Sequence, residues 1–175
     1  PVELLVGIQR MLPMKLENGE ALMLLQRILG QLLFYPPNVA GWPGGKSWID
    51  SSSLMMRMRI PMLINDIDEL NVSAKDDDDV MMGMKDIKKQ PVRNSRSSKA
   101  AGRMINADVN WNPLYKNYET VPREKLGEEV SKNLLQVKSG VSMDLIKQYS
   151  NQTGRENFIR TATLQIMSTP EYQLC

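Results

Sequence analysis

Apolar residues recur at helical spacing near the start of the chain. Residues 1–12 and 18–33 each carry an apolar stripe of the i, i+3, i+4, i+7 kind that marks a helix packed on one side. The stripes comprise Leu4, Leu5, Ile8, Met11 and Leu12 in the first segment and Leu22, Leu25, Ile28, Leu29, Leu32 and Leu33 in the second. Pro13 separates the two segments, and Asn18 is the expected N-cap of the second. The pattern predicts a helical hairpin.

A third helix is predicted to begin after Asp50, whose carboxylate can cap the first turn. Its apolar face is expected to carry Leu54, Met58 and Met62. Pro61 is expected to kink or interrupt this helix, because proline has no N–H and its ring clashes with the preceding turn.

The last third of the chain has the pattern of three more helices. Leu126, Val130, Leu134 and Val137 form an i+4 ladder, and residues 141–149 follow as a short helix. A final helix is expected to open with a capping box between Thr153 and Glu156 and to end before Pro170. Its buried face is predicted to comprise Phe158, Ile159, Ala162 and Ile166.

The middle of the chain, residues 66–120, departs from this helical pattern and is interpreted as an insertion. Residues 66–86 hold eight acidic and two basic side chains, whereas residues 88–103 hold six basic and no acidic ones. The two halves are expected either to lie against each other or to stay solvated. Residues 105–111 alternate apolar and polar positions, which predicts a strand, and residues 70–73 or 80–84 are candidates to complete a small β-hairpin.

The fold class that follows is mainly α. We expect a single helical domain over residues 1–175, built as a bundle of about six helices with a long irregular middle segment. Between the second and third helices lies a loop, residues 36–48, whose concentration of glycine, proline and tryptophan excludes a regular element.

Composition excludes several kinds of chemistry within these 175 residues. Without histidine there can be no Ser-His-Asp triad and no histidine-ligated zinc, and the one cysteine, Cys175, cannot form an internal disulfide. Residues 76–79 are four consecutive aspartates, but their spacing does not match a calcium loop, so no metal and no cofactor is predicted. No stretch is apolar enough for a transmembrane helix, and no signal peptide is recognised.

Nucleic acid is not an expected partner. The net charge is only +2, and the run of basic residues over 88–103 has no interleaved aromatic residue on which a base could stack.

The dense order of glycine, tryptophan and proline resembles the signature of the domain of unknown function 1800 family. The residues that carry the resemblance are Leu29-Gly30-Gln31, Leu33-Phe34, Pro36-Pro37-Asn38-Val39, Gly41-Trp42-Pro43-Gly44-Gly45, Trp48-Ile49, Ser52-Ser53-Leu54 and Arg57, together with Ser168-Thr169-Pro170-Glu171-Tyr172-Gln173 near the end. The match is strongest over residues 1–62 and 154–175. The resemblance implies a large, mostly helical, commonly exported bacterial protein, of which this chain would be the C-terminal part. It implies no activity and no catalytic residue set.

The candidate site is the glycine- and tryptophan-rich loop with its neighbours: Trp42, Gly44, Gly45, Trp48, Asp50 and Arg57. On the structural interpretation, the two tryptophans pack over the corner between the second and third helices and the glycines allow positive φ. On the functional interpretation, the loop presents aromatic faces and backbone amides to a glycan or a peptide. Asp50 with a second carboxylate could serve glycoside hydrolysis, but an N-cap is the simpler role.

The sequence favours a non-enzymatic function. We expect a helical scaffold or interaction module of an exported, envelope-associated bacterial protein, with an unknown protein or glycan, or the N-terminal part of the same protein, as its partner. The alternative is an enzyme or glycan-binding module that acts on envelope polysaccharide, with some key residues in the N-terminal part.

Overall fold

The structure, a computed structural model, describes residues 2–16, 19–44, 47, 49–65, 67, 107–137 and 139–174. Within these ranges the chain forms eight α-helices and two short strands, which confirms the mainly α fold. The helices are α1 (Val2–Met11), α2 (Glu20–Ile28), α3 (Ser51–Ile64), α4 (Asn112–Asn117), α5 (Leu126–Leu134), α6 (Met143–Tyr149), α7 (Arg155–Met167) and α8 (Pro170–Leu174), and a 3₁₀ turn covers Arg123–Lys125. The strands are β1 (Met14–Leu16) and β2 (Ala107–Val109).

The strand predicted over residues 105–111 is present at Ala107–Val109, and among the described residues it pairs with a segment that the sequence did not suggest. β2 pairs antiparallel with β1, with Met14 opposite Val109 and Leu16 opposite Ala107. The two strands lie far apart in sequence, so the pair is not a hairpin. The segments 70–73 and 80–84 that we expected to supply the partner lie outside the described residues, as does most of the insertion.

Two clusters of buried apolar side chains form the core. The first joins α1, α2 and α3, and it contains Leu5, Ile8, Leu12, Ala21, Leu25, Leu29, Met56, Ile60, Leu63, Ile64, Trp111, Leu164 and Met167. The second joins α5, α6 and α7, and it contains Tyr118, Leu126, Val130, Leu135, Ile146, Phe158, Ile159, Ala162 and Ile166. Helix α7 contributes to both clusters, and the face that the sequence predicted for it is buried as expected.

Helix α2 is shorter than its apolar stripe predicted. It ends at Ile28, and Leu32 and Leu33 lie outside it. Gly30 adopts a left-handed φ of 78°, and its N–H bonds to the carbonyl of Arg27, so the backbone leaves the helix there. Gly19 stands at the N-cap position, and Asn18 lies outside the described residues.

Helix α3 differs from the prediction in its buried face. The buried positions include Met56, Ile60, Leu63 and Ile64, whereas Leu54, Met58 and Met62 are only half-buried. The helix is not interrupted at Pro61 but continues to Ile64. After its last turn, the side-chain amide of Asn65 donates to the carbonyl of Pro61 at 2.9 Å.

The capping box predicted at the start of α7 does not form. Gly154 occupies the N-cap position and makes no side-chain cap bond. Thr153 instead donates both its backbone N–H and its hydroxyl to Asn151 Oδ1. That hydroxyl accepts from the side-chain amide of Asn157 at 3.3 Å, whereas the box requires it to accept from a backbone N–H of the first turn.

Candidate functional site

The candidate site begins where α2 ends, in a segment that we call the aromatic loop, residues 30–44. Its first turn is held by Gln26, whose carbonyl accepts from the N–H of Gln31 and whose side-chain oxygen accepts from the N–H of Leu33. Gln26 thus satisfies two N–H groups that follow the helix, one through its carbonyl and one through its side chain. The chain is turned away from the helix axis at a defined point.

The next turn places Phe34 in an unusual conformation. The N–H of Tyr35 bonds to the carbonyl of Leu32, and Phe34 within this turn has a φ of 66°. Among the described residues, Phe34 is the one non-glycine residue with positive φ. The left-handed region suits glycine or asparagine, and for a bulky residue it costs about 1–2 kcal/mol.

A second turn is centred on Asn38. Its side-chain oxygen accepts from the N–H of Ala40 at 2.9 Å, and its carbonyl accepts from the N–H of Gly41 at 3.0 Å. Gly41 has a φ of 90°, so glycine is required there on steric grounds. The expectation of positive φ therefore holds at Gly41, whereas Gly44 has no positive φ.

The loop exposes its large apolar side chains. The exposed fraction is 44% for Leu33, 85% for Phe34, 56% for Tyr35 and 109% for Val39. These four exposed side chains lie within seven consecutive residues, 33–39. Exposed apolar side chains concentrated on a surface are a recognised mark of an interaction site.

Trp42 is half-buried and faces the start of α1. It lines a shallow groove of about 190 Å³ with Val2, Glu3, Gln31 and Leu33. This groove is smaller than the roughly 300–1,000 Å³ typical of drug-sized ligand pockets. Its lining combines an indole, a carboxylate and a carboxamide, and it contains neither Asp50 nor Arg57.

The other two residues of the glycine-tryptophan motif, Gly45 and Trp48, lie outside the described residues. Gly44 is exposed, and its carbonyl accepts from the hydroxyl of Ser47 at 2.9 Å. The expectation that Trp48 packs over the corner between α2 and α3 stays a prediction.

Asp50 caps α3, as the sequence predicted. Its Oδ1 accepts from the N–H of Ser53 at 2.6 Å and from the hydroxyl of Ser52 at 2.8 Å. The hydroxyl of Ser53 in turn accepts from the N–H of Asp50 at 3.0 Å, which completes a capping box. The carboxylate is thus committed to the helix terminus.

Arg57 is buried and connects α3 to the end of the chain. Its Nη2 donates to the carbonyl of Gln173 at 3.0 Å. Burial lowers the pKa of Arg57 below its ordinary value. The side chain of Gln173, itself buried, donates to the carbonyl of Met167, so α3, α7 and α8 are joined by polar bonds within the core.

The C-terminal signature residues around Arg57 pack as a structural unit. Tyr172 touches both apolar clusters, and burial raises its pKa to about 12. The carboxylate of Glu171 accepts from the N–H of Gly140 at 2.8 Å. Hydrogen bonds from its own backbone N–H and from that of Gly140 lower the pKa of Glu171 below its usual value. These contacts join the chain end to the segment between α5 and α6.

The structure therefore divides the candidate residues between two places. Trp42 and Gly44 lie in the aromatic loop, whereas Asp50 and Arg57 serve α3 and its packing. Leu33, Phe34, Tyr35 and Val39 are surface residues that the sequence did not predict, and Leu33 in particular belongs to the apolar stripe of the second helix. One signal could have found them: residues 28–45 contain no charged side chain at all.

Within the described part of the chain, no three side chains of the His, Cys, Asp or Glu type come together as a metal site. In the same ranges, no helix is long and apolar enough to cross a bilayer. The aspartates at 76–79 lie outside these ranges.

Comparison with known proteins gives a single finding. The family model described as "Protein of unknown function (DUF1800)" matches residues 1–174. No curated protein and no solved structure gives a significant match.

Proposed function

We propose that this chain, which belongs to the DUF1800 family over residues 1–174, is a non-enzymatic helical interaction module of an exported, envelope-associated bacterial protein. The aromatic loop is its contact surface. The exported, envelope-associated setting is inferred from the family resemblance. The choice of the aromatic loop as the contact surface is inferred from its exposed side chains.

The single observation that carries this proposal is the exposure of Phe34 and Val39 on a loop with defined turns. A large apolar side chain gains roughly 1.5–3 kcal/mol when it leaves water, and these two leave most of that gain unrealised in the folded chain. Phe34 in addition occupies a backbone conformation that disfavours it. An exposed and strained aromatic residue is best accounted for by a contact outside the chain.

The roles of Asp50 and Arg57 support the non-enzymatic part of the proposal. Asp50 is engaged by two donors at the start of α3, and Arg57 is buried against the carbonyl of Gln173. Each therefore has a structural role that accounts for its presence in the motif.

The test compares two double variants of the purified full chain in sedimentation with isolated bacterial envelopes. The loop variant carries Phe34→Ser and Val39→Ser, and the control carries Met55→Ser and Tyr149→Ser, two exposed apolar residues on helices. We expect both variants to stay folded and only the loop variant to be lost from the pellet. A loop variant that pellets like the unaltered chain, or one that has lost its fold, would contradict the proposal.

A glycan-binding module is the second candidate, and the groove beside Trp42 favours it. An indole face stacks on the C–H face of a sugar ring, while Glu3 and Gln31 offer acceptors and donors for hydroxyl groups. A screen of envelope glycans with the unaltered chain and with Trp42→Ala tests this candidate. Binding that Trp42→Ala abolishes without a change in thermal unfolding would favour it. Release of sugar from envelope polysaccharide by the unaltered chain would favour an enzyme.

A further inference from the structure

The aromatic loop lies within a segment that is uncharged over its whole length. Residues 28–45 contain no Asp, Glu, Lys or Arg, although charged residues make up 24% of the chain. The charges that bound the segment are both basic: Arg27 precedes it and Lys46 follows it. An uncharged segment between basic residues suits a partner whose interior is apolar and whose rim is negative.

Part of the loop backbone is also suited to an environment without water. Several of its N–H groups already donate within the protein, namely those of Gly30, Gln31, Leu33, Tyr35, Ala40 and Gly41. Pro36, Pro37 and Pro43 have no N–H to satisfy. Because each unsatisfied backbone donor is costly in hydrocarbon, internal bonds and prolines lower the cost of removing the loop from water.

The side chains suit the boundary between hydrocarbon and water. Phe34 and Val39 are the most exposed large apolar residues of the loop, Tyr35 lies between them in sequence, and Trp42 follows them. Tyrosine and tryptophan have an apolar ring with one polar group, and they concentrate at the headgroup level of bilayers. Arginine, one of the three residue types enriched in the hot spots of protein interfaces, is absent from this segment.

We propose that the aromatic loop inserts into the interfacial region of a lipid bilayer and attaches the module to it reversibly. The inference rests on the proposed function and deepens it by naming the partner as a lipid surface. Phe34 and Val39 enter the acyl boundary, and Tyr35 and Trp42 stay at the headgroup level. Attachment of this kind requires no spanning segment.

The experiment measures sedimentation of the purified full chain with vesicles of phosphatidylethanolamine and phosphatidylglycerol. Val39→Asp places a carboxylate in the inserted part, and Met55→Asp makes the same change of charge at an exposed position of α3. We expect Val39→Asp to lower the partition coefficient roughly ten- to hundredfold, because an apolar contact is replaced by a charge that must stay hydrated. Met55→Asp is expected to change it less than threefold.

Salt separates insertion from simple attraction of charges. At about 1 M salt the Debye length falls to about 3 Å, so adsorption that depends only on Arg27, Lys46 and other basic groups is lost. Binding by inserted apolar side chains is expected to persist under the same conditions. Thermal unfolding of each variant without vesicles confirms that the fold is intact.

Three results would overturn the inference: no sedimentation of the unaltered chain, equal loss in Val39→Asp and Met55→Asp, or complete release at high salt. If loop-dependent sedimentation occurs with bacterial envelopes but not with pure lipid vesicles, the lipid partner is wrong and the proposed function stands. A dimer in solution that Val39→Asp dissociates, without vesicle binding, would assign the loop to a second copy of the chain instead.

Discussion

Helix α7 and the aromatic loop contain similar apolar residues, but α7 buries them and the loop exposes them. Ile159, Leu164 and Ile166 of α7 are completely or almost completely buried, whereas Leu33, Phe34 and Val39 of the loop are exposed. In α7 a thirteen-residue helix lies between the two apolar clusters, so its faces meet a partner within the fold. In the loop the apolar residues are nearly consecutive and are interrupted by prolines, so no periodic face forms. Burial thus depends on spacing more than on apolar content.

The largest effect that separates the two regions is expected at Leu164. Leu164→Ala removes a fully buried side chain from the first cluster, so the free energy of unfolding should fall by about 2–5 kcal/mol. Denaturant titration measures it, and Leu33→Ala in the loop is the matched control, with an expected loss below about 1 kcal/mol. Equal losses at the two positions would break the distinction between a packed helix and a displayed loop.

Arg57 is expected to show the next largest effect, because its bond to Gln173 is the link from the glycine-tryptophan motif to the packed end of the chain. Arg57→Ala removes a charge-assisted hydrogen bond, so we expect a loss of about 1.5–3 kcal/mol in the free energy of unfolding. Arg10→Ala, at an exposed position of α1, is the control and should change it by less than about 0.5 kcal/mol. If the Arg57→Ala protein is stable but has lost a binding activity, Arg57 contributes to binding rather than to stability.

Asp50 marks the boundary between the loop region and the packed helices. Asp50→Ala removes the cap of α3, and the free energy of unfolding should fall by about 1 kcal/mol. Asp50→Asn retains an oxygen acceptor for the N–H of Ser53 and should keep most of the stability. If Asp50→Asn and Asp50→Ala are equally destabilised, the charge of Asp50 has a role beyond the cap.

The features of the fold that can be predicted are those that depend only on residues close together in the sequence. The position of α1, the face of α7 and the cap at Asp50 each follow from residues within a few positions of one another, although Met11 of the predicted α1 stripe is exposed. The early end of α2 is different, because it depends on a left-handed Gly30 and on the side chain of Gln26. The partner of β2 is a three-residue strand from the start of the chain, which is too short to show an alternating pattern.

The candidate site was predictable as a segment but not as a surface. The motif around Trp42 predicted an irregular loop between the second and third helices, yet the groove that Trp42 lines requires Val2 and Glu3 from α1, and no local pattern indicates that approach. The exposure of Phe34 was not predictable, because the apolar run from Leu32 to Phe34 continues the stripe of α2. Only the backbone turn at Gly30 directs these side chains to solvent rather than to the core.

Phe34 offers the smallest expected effect on stability and the sharpest contrast with α7. Phe34→Gly removes a ring that is almost entirely in water and relieves a left-handed φ that costs about 1–2 kcal/mol, while the greater freedom of glycine in the unfolded chain offsets about 0.5–1 kcal/mol of that relief. We therefore expect the free energy of unfolding to change by less than about 1 kcal/mol. Phe158→Gly, in the second cluster, is the comparison and should be severely destabilised because it combines a cavity with a helical glycine. If Phe34→Gly unfolds as readily as Phe158→Gly, Phe34 packs within the fold. A protein that keeps its stability without Phe34 leaves a contact outside the chain as the reason for an exposed aromatic ring in a strained turn.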